Sequence, residues 1–229
     1  MKIENLMKLI AKVESIKLVA DNTFEAAFYI DGFNFKAGQY VTVTLPNLKN
    51  LETREQFRDF SVVSSPNELP LLRIVMRKSE TAFRQELFGM KNGEEIVLEG
   101  PAGIFTLPND FERSIVFIAG GVGISPFLSM MKFITDNKMP YSITLAYFNR
   151  SIGSSAYLPE LDTILENNPR LRVIKILGLL EEKYIVPLIN QNPLWYIAGP
   201  PGMVKAGREI LTKLGIIDND IKTEEFSGY

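Results

Sequence analysis

The hydrophobic rhythm of this chain changes near residue 110, and no single repeating architecture accommodates both halves. Before that point apolar and polar residues alternate. Phe24, Ala26, Phe28 and Ile30 share one face, and Val41, Val43 and Leu45 alternate with threonines. A period of two marks half-buried antiparallel strands. Turn signals interrupt the alternation at 21–22, 31–32, 37–39 and 64–70. Short strands at such spacing predict a small antiparallel β-barrel. A short helix is expected over "TAFRQELFG" (81–89) and a further strand over "EEIVLEG" (94–100).

After the break, continuous apolar runs stand between helical patterns. "IVFIA" (115–119) reads as a buried strand, and Phe127, Leu128, Met131 and Ile134 then recur at helical spacing. "ITLAYF" (143–148), "LRVIKIL" (171–177) and "LWYIA" (194–198) repeat the pattern, each followed by a helix-like segment. Strand–helix repeats of this kind predict a parallel sheet wrapped by helices. A last short strand is expected at 221–226. The polar stretch "LPNDFERS" places the boundary at 108, giving domains 1–108 and 109–229. A chain of 229 residues accommodates two domains of about 100 residues each.

The chain has no cysteine and no histidine. Disulfides, zinc sites and iron–sulfur clusters built on these residues are excluded from it, as are Ser-His-Asp and Cys-His catalysis. Redox chemistry would have to come from an organic cofactor or from a partner. The net charge of −2 implies no large basic surface, so neither nucleic acid nor an anionic membrane is the expected partner. The run 115–131 is uncharged over 17 residues, but its three glycines, proline and two serines fit strand, turn and helix better than a membrane span. The opening "MKIENLMKLIAKVES" has no apolar core long enough for a signal peptide, so a cytoplasmic location is expected.

Five short stretches concentrate the chemistry. "AGGVGISPF" (119–127) follows a buried strand and precedes a helix. Its glycines read as a phosphate cradle at a helix N-terminus, or equally as a tight turn needing positive φ. It lacks the strict dinucleotide fingerprint and the Lys-Ser/Thr of a P-loop. "AGPPGMV" (198–204) follows the fourth strand, where Gly199 leaves room for a flat ligand, or simply makes a turn. "RDFSVVSSP" (58–66) places Arg58 and Phe60 on one strand face and Ser61 on the other. Arg58 can pair with a phosphate, or be the solvated charge of an edge strand. "GPAGIF" (100–105) lies near the boundary. The acidic–aromatic end "KTEEFSGY" (222–229) is either a packed lid or a strand edge with solvated glutamates.

In that order, over nearly the whole chain, these motifs resemble the ferredoxin–NADP reductase superfamily of flavoproteins. The resemblance implies a Greek-key barrel that binds a flavin, with FAD favoured over FMN, and an α/β domain that binds NADH or NADPH. It implies that Arg58 holds the flavin phosphates, Phe60 packs on the ring system and Ser61 hydrogen-bonds near flavin N5. Phe60 stands where the family usually has tyrosine, so the stacking surface is kept and a hydroxyl is lost. The family's second phosphate element lacks its glycines here, and Thr81 with the N–H groups of Ala82 and Phe83 are the expected replacements. Gly120, Gly121, Gly123 and Ile124 map onto the nicotinamide-nucleotide turn, and Gly199, Pro200 and Met203 onto the second one. Ala198 replaces the family's frequent cysteine. Glu224 or Glu225 would assist catalysis, and Phe226 or Tyr229 would shield the flavin. Arg150, with Ser151, would meet a 2′-phosphate or remain a solvated loop end.

The expected activity is hydride transfer from NAD(P)H to bound FAD, with electrons passed to a separate acceptor of the ferredoxin, oxygenase or cytochrome type. Two alternatives stay open. One is an NAD(P)H-dependent reductase of free flavin, and the other is a non-catalytic nucleotide-sensing or docking subunit.

Overall fold

A computed structural model describes residues 7–48, 53–190 and 192–226. Six antiparallel strands make the first unit: β1 (Met7–Ala20), β2 (Thr23–Tyr29), β3 (Tyr40–Thr44), β4 (Phe57–Ser61), β5 (Leu71–Arg77) and β6 (Glu95–Ala102). In space they run β4-β3-β6-β1-β2-β5. The Val63 N–H donates to the Arg73 carbonyl at 2.8 Å, drawing the segment after β4 onto β5 so that the sheet rolls into a barrel. Val41, Val43, Phe28, Leu72, Ile74, Ile96 and Leu98 fill its interior. Helix α1 (Thr53–Gln56) precedes β4, and α2 (Ala82–Gly89) sends Phe83 and Leu87 into the same core.

The second unit is a parallel sheet of β7 (Ile115–Gly120), β8 (Ile143–Asn149), β9 (Leu171–Leu177), β10 (Leu194–Gly199) and β11 (Ile221–Glu225). The order is β11-β10-β7-β8-β9, so the winding reverses between β7 and β10. Helices α3 (Ser125–Asp136), α4 (Leu158–Asn167), α5 (Glu182–Ile185) and α6 (Pro201–Lys213) cover it. Separate apolar clusters lie on its two faces. No helix among the described residues is long and apolar enough to cross a membrane.

Three features depart from the pattern read in the sequence. Strand β1 was not anticipated. Its register slips between Val13 and Ser15 and again between Leu18 and Ala20, and each irregularity breaks the alternation that would have revealed it. Strand β2 is buried on both faces: Ala26 and Phe28 point into the barrel, while Glu25 and Ala27 are 1% and 3% exposed on the other side. Helix α3 is buried almost all round at its start, from Ser125 to Met131. The barrel covers the side of α3 that the parallel sheet does not, and this is why 115–131 carries no charge.

The seam between the units is apolar at its centre, where Val63, Val75 and Phe105 join one cluster with Phe127 and Met130. The Ser129 hydroxyl donates across it to the Ser64 carbonyl at 2.6 Å. Beside this lies a buried ion network. Arg73 on β5 reaches Glu25 at 2.9 Å, Glu68 at 3.2 Å and Glu160 of α4 at 2.8 Å. Lys132 of α3 meets Glu68 at 2.7 Å and Glu160 at 2.8 Å. Burial works against the Arg73 charge, yet Glu160, Glu25 and Glu68 together hold its pKa above the ordinary arginine range. Burial also opposes ionisation of Glu160, but Arg73 and Lys132 hold its carboxyl below the usual carboxylate range. The stabilisation contributed by Glu160 is therefore complete above the ordinary glutamate pKa and is lost as the pH falls through and below it.

Removing one member of a buried ion network leaves its partners uncompensated. Arg73→Ala strands Glu25, whose remaining cation is the exposed Lys17 at 3.1 Å. The expected loss is about 3–5 kcal/mol in chemical unfolding. A loss near that of an exposed pair, roughly 0–1 kcal/mol, would show that the network does not hold the seam.

Candidate functional site

Two clefts open along the seam. The first encloses about 600 Å³ and is lined by Arg58, Phe60 and Ser61 of β4, Tyr40, Val75, Met76, Arg84, Ser125 and the final segment Glu224, Glu225 and Phe226. The second, of about 510 Å³, is lined by residues at the carboxyl ends of β7, β8 and β10 and by the turn after β9. Consecutive residues of β5 separate them: Val75 and Met76 face the first cleft and Arg77 the second.

The first cleft is built on an edge strand. Cross-strand register pairs Val43 with Arg58, Val41 with Phe60 and Tyr40 with Ser61. Partners across a ladder share a face, so Arg58 and Phe60 lie on the barrel side and Ser61 on the other. The Phe60 ring centroid is 6.0 Å from that of Phe83, and the Arg58 guanidinium stands 5.6 Å from the Phe83 ring centroid. Three residues of strand separate Arg58 from Ser61, roughly 10 Å.

On its outer face Ser61 meets the end of the chain. The Ser61 hydroxyl donates to Glu224 Oε1 at 3.1 Å across 163 residues of sequence. Strand β11 brings Glu224 there, pairing it with Ala198 in parallel register with β10. Burial pushes the Glu224 carboxyl up to about 7, with the Ser61 hydrogen bond opposing part of that rise. Glu224 Oε2 is buried without a hydrogen-bond partner among the described residues. A carboxyl held neutral near physiological pH beside a hydroxyl can deliver or take a proton. Burial, with the charges of Asp59 and Glu224, also raises the Tyr40 pKa.

The second cleft lies where the sheet reverses direction, the position at which open α/β sheets bind ligands. The turns after β7 and β10 meet there backbone to backbone. A Cβ on Gly123 would stand 2.2 Å from the Ala198 carbonyl oxygen, and one on Gly120 would stand 2.2 Å from the Met203 sulfur. A Cβ on Gly199 would come within 3.3 Å of the Gly120 backbone. Gly121 has φ +54 and lies under the Arg77 guanidinium. Gly120, Gly123 and Gly199 are thus required by the packing of the two turns, and Gly121 by its positive φ.

Most of the residues singled out in the sequence converge on these clefts. Arg58, Phe60, Ser61, Glu224, Glu225 and Phe226 line the first. Gly120, Gly121, Arg150, Pro200 and Met203 line the second. Gly123 and Gly199 sit behind the surface, and Ile124 is fully buried in the apolar cluster. Thr81 and Ala82 are exposed and line neither cleft, and Phe83 is a barrel-core residue. Ser151 is tied into its own turn by hydrogen bonds with Ser154 and Ser155. Tyr229 lies outside the described residues. Tyr40, Arg77 and Arg84 were missed. Tyr40 was legible as the cross-strand neighbour of Ser61 once the hairpin register was known, whereas Arg77 and Arg84 flank Thr81–Phe83 in the stretch "RKSETAFRQEL" without being singled out.

Comparison with known proteins agrees with this geometry. Residues 117–209 match the model of the oxidoreductase NAD-binding domain. The anthranilate 1,2-dioxygenase electron transfer component of Acinetobacter baylyi is 25% identical over 96% of this chain and 67% of its own length. The ferredoxin–NADP+ reductase of Plasmodium falciparum superposes with TM-score 0.78 at 20% identity, covering 99% of this chain and 98% of that one. The chain thus has the two-domain fold of that ferredoxin–NADP+ reductase. A flavohemoglobin from Malassezia yamatoensis, whose structure holds FAD and heme, shares this fold at TM-score 0.82 and 19% identity over 97% of this chain and 61% of that one. The chain spans 56–67% of the length of the curated relatives it matches over most of its own length.

The glycine packing gives a paired prediction. Gly123→Ala places a methyl inside the Ala198 carbonyl, so the turns must separate, at a cost of about 1–3 kcal/mol in thermal or chemical unfolding. Gly202→Ala, whose Cβ meets nothing within 4 Å, leaves stability unchanged or raises it. Equal behaviour of the two variants would contradict the packing account.

Proposed function

We propose that this chain is the flavin- and NAD(P)H-binding unit of an electron-transfer reductase, with residues 1–108 holding FAD and 109–229 holding the dinucleotide. One observation carries the reading. Two clefts of nucleotide size meet at β5, and the one on the barrel side contains a protonable pair, Ser61 and Glu224. Two ligands can therefore lie side by side, each on its own domain.

The first cleft suits a flavin by the chemistry of its walls. Arg58 supplies a guanidinium for a phosphate, and Phe60 a flat apolar surface. When bound, the flavin accepts hydride from a reduced nicotinamide and releases the electrons singly. The protein's share is orientation, water exclusion and proton handling. Phe226 and Tyr40 wall the cleft. Ser61 presents its hydroxyl at the seam, and Glu224 stands behind Ser61 as a proton reservoir. In the second cleft the β7 and β10 turns let backbone approach the dinucleotide, while Arg77 and Arg150 supply positive charge for its phosphates.

Electrons then leave to an acceptor that this chain's residues do not contain. The electron transfer component of a dioxygenase among its relatives favours an oxygenase-type acceptor. A cytoplasmic location fits dependence on NAD(P)H.

Purification followed by a visible spectrum tests the reading. A yellow protein that bleaches anaerobically with NADH or NADPH is the expected result, and the effective donor is thereby named. A colourless protein that reduces added riboflavin would mean a free-flavin reductase, and the absence of both flavin and turnover would leave a docking or sensing subunit.

Two variants test the protonable pair. Ser61→Ala slows flavin reduction by NAD(P)H far more than it weakens flavin binding, and unchanged stopped-flow rates would remove Ser61 from the reaction. Glu224 keeps its proton up to a pH of about 7, so the proton-dependent step slows as the pH rises past that value. Glu224→Gln abolishes this inflection, and an inflection that persists in the variant would assign it to another group.

A further inference from the structure

Within the flavin reading, the missing phosphate element of α2 is the feature left unexplained. The residues expected there line neither cleft. The Thr81 hydroxyl makes no cap for the helix and instead lies 3.2 Å from the Ser79 hydroxyl. Phe83 points inward and is fully buried. The next residue turns the other way. Successive residues of a helix are rotated by about 100°, which carries Arg84 off the core face. Arg84 is half-buried and lines the same cleft as Arg58. The Arg58 guanidinium lies over the Phe83 ring, so both arginines frame the same turn of α2.

We propose that Arg84 is a second phosphate-binding cation of the first cleft, which therefore selects a flavin nucleotide over uncharged riboflavin. Arg58 comes from β4 and Arg84 from α2, so two guanidinium groups line one cleft from different elements. A fork pairs with two phosphate oxygens at once, and such charge-assisted pairs are among the stronger polar contacts a protein makes. Three carboxylates, Asp59, Glu224 and Glu225, line the same cleft. Asp59 lies on the other face of β4 and accepts from Thr42 at 2.6 Å, and Glu224 and Glu225 belong to the seam. An arginine side chain thus does here what glycine-rich backbone would do elsewhere, because a long side chain can reach a phosphate from a helix that does not itself touch the cleft.

The test is titration of the apoprotein with FAD, FMN and riboflavin, followed by flavin fluorescence, for the parent chain and for Arg84→Ala and Arg84→Lys. Arg84→Ala is expected to weaken FAD about tenfold or more, the scale of a charge-assisted contact, while leaving riboflavin within about twofold. Arg84→Lys keeps the charge without the fork and falls between the two. The gap between parent and Arg84→Ala narrows at high salt. Unchanged FAD affinity in Arg84→Ala, or an equal loss for riboflavin, overturns the proposal, the second result marking Arg84 as a packing residue. A parent chain that takes up none of the three flavins overturns the flavin reading itself, a different outcome from either.

Discussion

The hydrogen bond between Ser61 and Glu224 is the contact on which the rest of the functional account depends. It joins an edge strand of the barrel to an edge strand of the parallel sheet, across 163 residues. Neither partner is unusual alone. A serine on the outer face of β4 would be solvated, and a glutamate near the end of the chain would titrate as glutamates in water do. At the mouth of the cleft burial lifts the Glu224 carboxyl to about 7, and the Ser61 hydroxyl donates to it there. A hydrogen bond of ordinary strength cannot enforce this placement, since such bonds contribute only about 1 kcal/mol net. The placement is enforced by the seam, where the apolar cluster of Val63, Val75, Phe127 and Met130 and the Arg73 network fix one domain against the other.

The seam also explains what could and could not be read from the sequence. Alternation in the first half and buried runs in the second were sufficient to predict a barrel and a parallel sheet, because burial on one or both faces of a strand leaves a local signature. Contacts between the units leave none. Glu25, Glu68, Glu160, Arg73 and Lys132 look like ordinary surface charges along the chain, yet they form one network around the buried Arg73 and Glu25. Strand β1 escaped notice for a local reason, since two register slips spoil its period.

Site residues divide along the same line. Arg58, Phe60, Ser61 and the glycine turns were legible because strand alternation and backbone freedom are local properties, and because their order matches a known superfamily. The resemblance points to Thr81 and the N–H groups of Ala82 and Phe83 as the second phosphate element, whereas the α2 side chain that reaches the cleft is Arg84, three residues beyond Thr81. That distinction depends on the rotation of the helix over the barrel, which no spacing rule supplies. The glycine turns carried two readings, a phosphate cradle and a tight turn. Their geometry shows closely packed turns after β7 and β10, and the same turns border the second cleft.

The central claim is that Ser61 and Glu224 act as one unit. A double-mutant cycle on the rate of flavin reduction by NAD(P)H tests it most directly, with Ser61→Ala, Glu224→Gln and the combination. If the proton passes through both residues, the second substitution costs little once the first is made, and the cycle gives a coupling energy within the range of about 0.5–3 kcal/mol seen for contacting residues. Fully additive effects would mean that the two side chains act separately, and the account of this site would be wrong.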